Sequence, residues 1–207
     1  MTLSLGVLVS GSGTNLQAIL DAIAEGRLDA RVSVVISNKA NAFALERARR
    51  AGVPVQVISH KDHADREAFD TALVSALREA GVTWVVCAGF MRIVTPVLLR
   101  AFEERVINIH PALLPAFPGI HAQAQALAHG VKVTGCTVHF VDEGVDSGPI
   151  IGQRSVPVAD DDTLESLTAR LLVAEHALFV EALSWIAAGR VEIVSRDGRK
   201  HVRLRPA

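Results

Sequence analysis

The chain has 207 residues, half of them apolar, which is enough to bury a sizeable core in one domain. Lys and Arg number 21 against 22 Asp and Glu, and the net charge of -1 excludes any general attraction to nucleic acid or to an anionic membrane, so an anionic ligand has to be held by a local site. There is no run of about eighteen apolar residues and no basic leader with a cleavage site, and Cys87 and Cys136 have no paired spacing, which together predict a cytoplasmic protein with buried free thiols and no metal.

Leu3 to Val9 is a nearly continuous apolar run, the pattern of a strand covered on both faces of a parallel sheet. It ends in Ser10-Gly11-Ser12-Gly13-Thr14-Asn15, after which Leu16, Ile19, Leu20 and Ile23 recur at helical spacing as far as Gly26. The glycines therefore occupy a strand-to-helix turn. The free backbone N–H groups of such a turn, with Ser12, Thr14 and Asn15 as side-chain donors, suit a phosphate. A simple tight turn is the plainer alternative. The turn is not a dinucleotide fingerprint, because the third glycine position is Leu16 and the next strand, Val32 to Ile36, ends in Ser37-Asn38 with no acid for a ribose. With no Lys-Ser or Lys-Thr it is not a Walker loop either.

Ala42 to Gly52 reads as a helix with Phe43, Leu45 and Ala48 inward, and Val53 to Ile58 as a third strand. His60 and His63 lack a third ligand and read as solvated loop. Asp65 to Gly81 is a long amphipathic helix with Phe69, Leu73, Ala76, Leu77 and Ala80 on one side. Arg66 opposes the dipole in its first turn, which fits either a ligand anion or a surface arginine. Trp84 to Ala88 is another apolar strand, and Gly89 to Val94 lies at its carboxyl end, where open α/β sheets bind ligands. Thr95-Pro96 then starts a helix through Phe102.

In Arg105 to Pro115, Asn108 and His110 alternate with Ile107 and Ile109, so they share one face of a strand that Pro111 ends. A carboxamide and an imidazole held there can grip a carbonyl oxygen as it becomes an oxyanion, a preorganised donor being worth roughly 2.7–4 kcal/mol. The same residues also read as ordinary occupants of a buried strand. His121 to Gly130 is a short helix, and Gly135 to Val141 alternates as an antiparallel strand does, with Thr137 and His139 facing opposite to Cys136 and Val138. The acidic loop Asp142 to Pro149 precedes a further strand, Ile150 to Val156; Asp146 in that loop reads first as a turn residue and second as a functional acid. Asp160 to Asp162 with Thr163 start a helix from Leu164 to Ala188, whose apolar side carries Leu167, Leu171, Leu172, His176, Phe179, Leu183 and Ile186, with Glu175 among them in need of a partner. Val191 to Val194 and His201 to Leu204 flank Asp197-Gly198 as a hairpin. The fold class is α/β, a mostly parallel central sheet with helices on both faces and an antiparallel C-terminal portion.

Ser10 to Gln17, Ser37-Asn38-Lys39-Ala40, Ala88 to Ile93, Asn108 to Pro115 and Asp146 to Ile150 occur in an order and at separations that resemble the folate-dependent phosphoribosylglycinamide formyltransferases of purine biosynthesis. The resemblance runs from about Leu3 to Gly189. It implies a Rossmann-like formyltransferase fold over residues 1–189, with 190–207 as a short hairpin or tail of the same domain. It also implies formyl transfer from 10-formyltetrahydrofolate to the amine of 5-phosphoribosylglycinamide, by a monomer or weak homodimer acting on small molecules. By similarity Asn108, His110 and Asp146 are the catalytic set, Gly13, Thr14 and Asn15 hold the ribonucleotide phosphate, and Glu175 holds its ribose or glycinamide end. Arg66 and Met91, Arg92, Ile93 and Val94, with Asn108, bind the reduced folate, and the backbone of Phe140, Val141, Asp142, Glu143 and Gly144 covers the pterin. Attack of an amine on a formyl group creates an oxyanion and an excess proton; Asn108 and His110 supply donors for the first, and Asp146 can hold the imidazole charged. The alternative is a formyltetrahydrofolate deformylase, which shares the trio and uses water as acceptor.

Overall fold

The computed structural model describes residues 2–206, which form two compact units, one ending at Asn108 and the other starting at Ile109. The first unit alternates strand and helix: β1 (Leu3–Val9), α1 (Thr14–Ala24), β2 (Ala30–Ser37), α2 (Phe43–Arg50), β3 (Val55–Val57), α3 (Arg66–Glu79), β4 (Trp84–Cys87), α4 (Pro96–Ala101) and β5 (Val106–His110), whose last two residues belong to the second unit. Its strands lie in the order β3-β2-β1-β4-β5, and every pairing is parallel. All seven residues of β1 are buried, and since successive side chains point to opposite faces, the sheet is covered on both. Helix α3 presses Phe69, Leu73 and Leu77 inward, each worth roughly 1.5–3 kcal/mol of burial. A Cβ on Gly6 would lie 2.3 Å from Leu77 Cδ2, so glycine lets that helix approach β1.

The chain leaves β1 towards β2 on one side and reaches β4 on the other. This is the reversal of strand order at which open α/β sheets place ligands, beyond the carboxyl ends of β1 and β4.

The second unit holds α5 (Ala122–Ala128), β6 (Val133–Phe140), β7 (Ile150–Pro157), α6 (Leu164–Ala187), β8 (Val191–Arg196) and β9 (Arg199–Leu204). Strands β6 and β7 pair antiparallel, and β8 and β9 form a separate antiparallel hairpin. Thr163 caps α6 by accepting from the Ser166 amide while the Ser166 hydroxyl accepts from the Thr163 amide. The architecture is the α/β fold expected, with its mostly parallel sheet and antiparallel C-terminal portion.

Three details differ from the sequence reading. Phe43 is 49% exposed rather than inward, because α2 turns Ala44, Leu45 and Ala48 towards the core; Arg47 and Arg50 cover the Phe43 ring from outside. Strand β3 is only Val55–Val57, an edge paired to β2 alone, with Val57 exposed. Thr137 and His139 are buried along with Cys136 and Val138, so β6 has no solvated face. Ala80, Leu172 and His176 are half-buried rather than fully packed. Both cysteines are free and buried.

Candidate active site

In the first unit two loops leave neighbouring strand ends. Ser10 to Gly13 joins β1 to α1. Gly13 has φ +73° and its missing Cβ would fall 2.5 Å from the Ala44 Cβ, so glycine is needed there for the close approach of α2. Gly11 has nothing within 4 Å of its Cβ position, so the open side of the loop is at Gly11. Gly11 accepts from the Ala44 amide at 3.1 Å, and the Arg47 guanidinium donates to the Ser12 carbonyl at 2.9 Å and to the Gln17 side chain at 3.1 Å. Thr14 and Asn15 open α1, which has neither a side-chain cap nor an acid in its first turn, so nothing cancels the positive end of the helix. Such an end attracts an anion.

The second loop, Ala88 to Val94, follows β4. Its Met91 amide donates to Ser10 Oγ at 2.9 Å, and at its far end Thr95 donates through both its amide and its hydroxyl to Oδ2 of Asp70. Asp70 is almost wholly buried; burial raises its carboxyl above the usual range against the pull of Thr95 and of the charges on Arg92 and Arg66. Met91 and Ile93 project into solvent, Val94 is buried, and the Arg92 guanidinium lies 6.0 Å from the Phe69 ring. Arg66 is exposed in the first turn of α3, just after Asp65, which caps that helix through the Ala68 amide.

Asn108 is half-buried in β5, in register with Cys87 of β4. Beyond it the second unit begins with a compact ionisable centre. His110, buried at the end of β5, places Nδ1 3.2 Å from Oδ2 of Asp146 and Nε2 2.8 Å from the Phe117 carbonyl. Asp146 Oδ2 also accepts from the Gly119 amide at 2.8 Å, and its Oδ1 lies 3.5 Å from Nε2 of His139, whose Nδ1 is 2.8 Å from the Phe140 carbonyl. Each imidazole thus faces a carboxylate with one nitrogen and a carbonyl with the other. Both partners only accept, so each ring satisfies both contacts only with protons on both nitrogens. Burial pushes the Asp146 carboxyl up, but the hydrogen bonds from His139 and Gly119, with the charges on His110 and His139, hold it below its ordinary value.

The backbone around this centre is specialised. Phe117 and Asp146 have φ +54° and +52°, and Asp tolerates that left-handed region better than most residues. The segment carrying Phe140, Val141, Asp142, Glu143 and Gly144 is held by Asp142, which accepts from the Ser147 hydroxyl at 2.7 Å and from the Gly144 amide at 3.1 Å. A Cβ on Gly148 would sit 1.9 Å from the Phe140 carbonyl oxygen, so only glycine passes there. Glu175 is buried in α6. Burial and then the Glu175 charge push the Cys136 thiol up to about 12.

The structure therefore brings His110 and Asp146 together, and joins the Gly13–Asn15 turn to the Met91–Val94 loop through Ser10. Three residues escape a sequence reading. His139 gives a weak signal, a histidine alternating with apolar residues beside an acidic loop; Ser10 and Asp70 give none beyond their polarity. Among the described residues, no group of three His, Cys, Asp or Glu is arranged to hold a metal ion, and no helix is long and apolar enough to cross a membrane.

Residues 4–183 match the family described as formyl transferase. Among solved structures, glycinamide ribonucleotide transformylase 1 from Symbiobacterium toebii superposes with a TM-score of 0.95 at 54% identity, over 98% of this chain and 94% of that one. Phosphoribosylglycinamide formyltransferase of Escherichia coli strain K12 is 43% identical over 90% of this chain and 88% of its own length. The trifunctional purine biosynthetic protein adenosine-3 of Drosophila pseudoobscura pseudoobscura is 48% identical over 95% of this chain, which spans 15% of that longer protein.

Proposed function

This chain belongs to the formyl transferase family, and from that premise we propose that it transfers the formyl group of 10-formyltetrahydrofolate to the amine of 5-phosphoribosylglycinamide in purine biosynthesis. The observation that carries the proposal is the buried His110–Asp146 pair, backed by His139 and the Gly119 amide, at the end of β5. Formyl transfer forms one C–N bond, breaks another, moves one proton from the acceptor amine to the leaving folate nitrogen, and passes through an oxyanion. A site for it needs fixed donors for the oxygen and a group that holds or relays the proton.

Asp146 accepts from His110 Nδ1, which fixes the ring and favours its charged form. Nε2–H, which faces the Phe117 carbonyl, would exchange that neutral acceptor for the developing oxyanion, and a charge-assisted hydrogen bond is about twice as strong as a neutral one. The Asn108 carboxamide, two residues earlier in the same strand, is the second donor. Gly13, Thr14 and Asn15 would take the ribonucleotide phosphate at the open N-terminus of α1, and Glu175 its ribose or glycinamide end. Arg66, Met91, Arg92, Ile93 and Val94, with Asn108 and the backbone of Phe140 to Gly144, would take the reduced folate. The chain works as a cytoplasmic monomer or weak homodimer on small molecules, residues 1–189 being the formyltransferase domain and 190–207 a tail within it.

Release of the folate product from 10-formyltetrahydrofolate, followed with and without 5-phosphoribosylglycinamide, tests this reading. Turnover that depends on the ribonucleotide supports it. Equal turnover without the ribonucleotide would make the protein a deformylase.

A further inference from the structure

We propose that Ser10 is a positioning residue that couples the phosphate loop to the folate loop, so that filling either one tightens binding at the other. The inference rests on the assignment of those two loops made above. Ser10 stands where β1 ends, beside the end of β4, at the reversal of strand order. It touches the second loop twice: its amide donates to the Gly89 carbonyl at 3.1 Å, and its hydroxyl oxygen accepts from the Met91 amide at 2.9 Å. The hydroxyl proton goes elsewhere, to Oδ1 of Asn38 at 2.7 Å. A serine hydroxyl has a single proton, so committing it to Asn38 turns the lone pairs towards Met91. Ser10 and Asn38 are each 4% exposed, so water does not compete for these contacts.

The next residues along the chain are the phosphate loop itself. Gly11 and Ser12 are anchored by the Ala44 amide and by Arg47, which leaves Ser10 as the anchor on the upstream side. The folate loop has little packing of its own, since Met91 is 66% and Ile93 53% exposed; its printed polar fixed points are Ser10 at one end and Asp70 at the other. An anion that immobilises the phosphate loop also immobilises the acceptor on which Met91 hangs, so less ordering remains for the second ligand to impose. The effect is reciprocal by linkage.

The test is titration calorimetry of 5-phosphoribosylglycinamide with and without saturating tetrahydrofolate, a folate with no formyl group to transfer. The wild-type protein is expected to bind the ribonucleotide roughly fivefold or more tightly in the presence of the folate. In Ser10→Ala the ratio falls to about one, with both ligands still bound and the melting temperature within a few degrees of the parent. General loosening of the fold would weaken both affinities and leave their ratio unchanged. Asn38→Ala keeps the hydroxyl but frees its proton; its ratio also falls towards one, and it decides the matter if Ser10→Ala does not fold. A wild-type ratio of one, or a variant that keeps the parent ratio, overturns the proposal. A wild-type protein that binds neither ligand overturns the assignment of the loops and this inference with it.

Discussion

The two glycines of the β1–α1 turn give opposite predictions. Gly13→Ala puts a side chain in the left-handed region, which costs roughly 1–2 kcal/mol, and places its Cβ 2.5 Å from Ala44 Cβ and 2.7 Å from Ala44 Cα. Helix α2 or the turn must move by about 1 Å to restore ordinary contact, an overpacking cost of about 1–3 kcal/mol. Together these give about 2–5 kcal/mol, which in a chain of this length lowers the melting temperature by about 4–20 °C. Gly11→Ala meets nothing within 4 Å and should stay within about 0.5 kcal/mol of the parent. If the loop holds a phosphate, however, Gly11→Ala raises KM for the ribonucleotide and leaves KM for the folate nearly unchanged. Thermal unfolding and steady-state kinetics on both variants separate packing from ligand contact. The double variant Gly13→Ala, Ala44→Gly should recover the overpacking part, so that it is more stable than the two single effects added together. A Gly13→Ala protein that melts with the parent, or a double variant that is merely additive, would refute this account of the turn.

Asn108→Asp keeps the side chain's shape but replaces a donor with a charged acceptor, so turnover should fall on the order of a hundredfold or more with little change in melting temperature; a variant active per folded molecule would remove Asn108 from the donor set. His139→Leu deletes one of the contacts that hold the Asp146 carboxyl low, leaving burial less opposed, so that carboxyl should titrate higher and the acid limb of kcat/KM should move to higher pH. The stability effect has the same sign: a lowered carboxyl stabilises the fold above its unfolded value, and that contribution is lost as pH falls through the folded value, below about pH 4. A limb that does not move would contradict the role given to His139. Burial pushes both Cys87 and Cys136 up to about 12, so neither should react with iodoacetamide near neutral pH until the chain unfolds; fast labelling of the folded protein would contradict their burial.

The parts of the fold that are local and periodic were legible in the chain itself. The unbroken apolar runs of β1 and β4, the glycines after β1 and the Asp197-Gly198 hairpin each follow from a short-range preference that tertiary packing did not override. Phe43 went the other way because the fit of Ala44 against Gly13 fixes the rotation of α2, a constraint between residues thirty apart. Thr137 and His139 look like a solvated face on polarity alone, yet are buried with hydrogen-bond partners from the chain, Ala112 and Leu114 for the threonine and Phe140 for the histidine. Asn108 and His110 could be placed on one strand face by counting, whereas the meeting of His110 with Asp146 depends on how the 111–121 segment and the loop after β6 fold back. Family resemblance anticipated that contact, and no spacing rule could have done so. Ser10 and Asp70 act through backbone amides of distant loops, which leave no mark in the sequence.

The central claim is that the His110–Asp146 pair carries formyl transfer to the ribonucleotide. Its most direct test is a single-turnover reaction with 10-formyltetrahydrofolate labelled with 13C at the formyl carbon, comparing the parent with Asp146→Asn. The asparagine is close in size but offers an amide where the carboxylate accepted from His110 and Gly119. The parent should place the label on the amine of 5-phosphoribosylglycinamide. The folded variant, still binding both ligands, should do so roughly 10²–10⁴ times more slowly. Transfer by the variant within a few-fold of the parent, or a parent that delivers the label to water instead of the amine, would contradict the account.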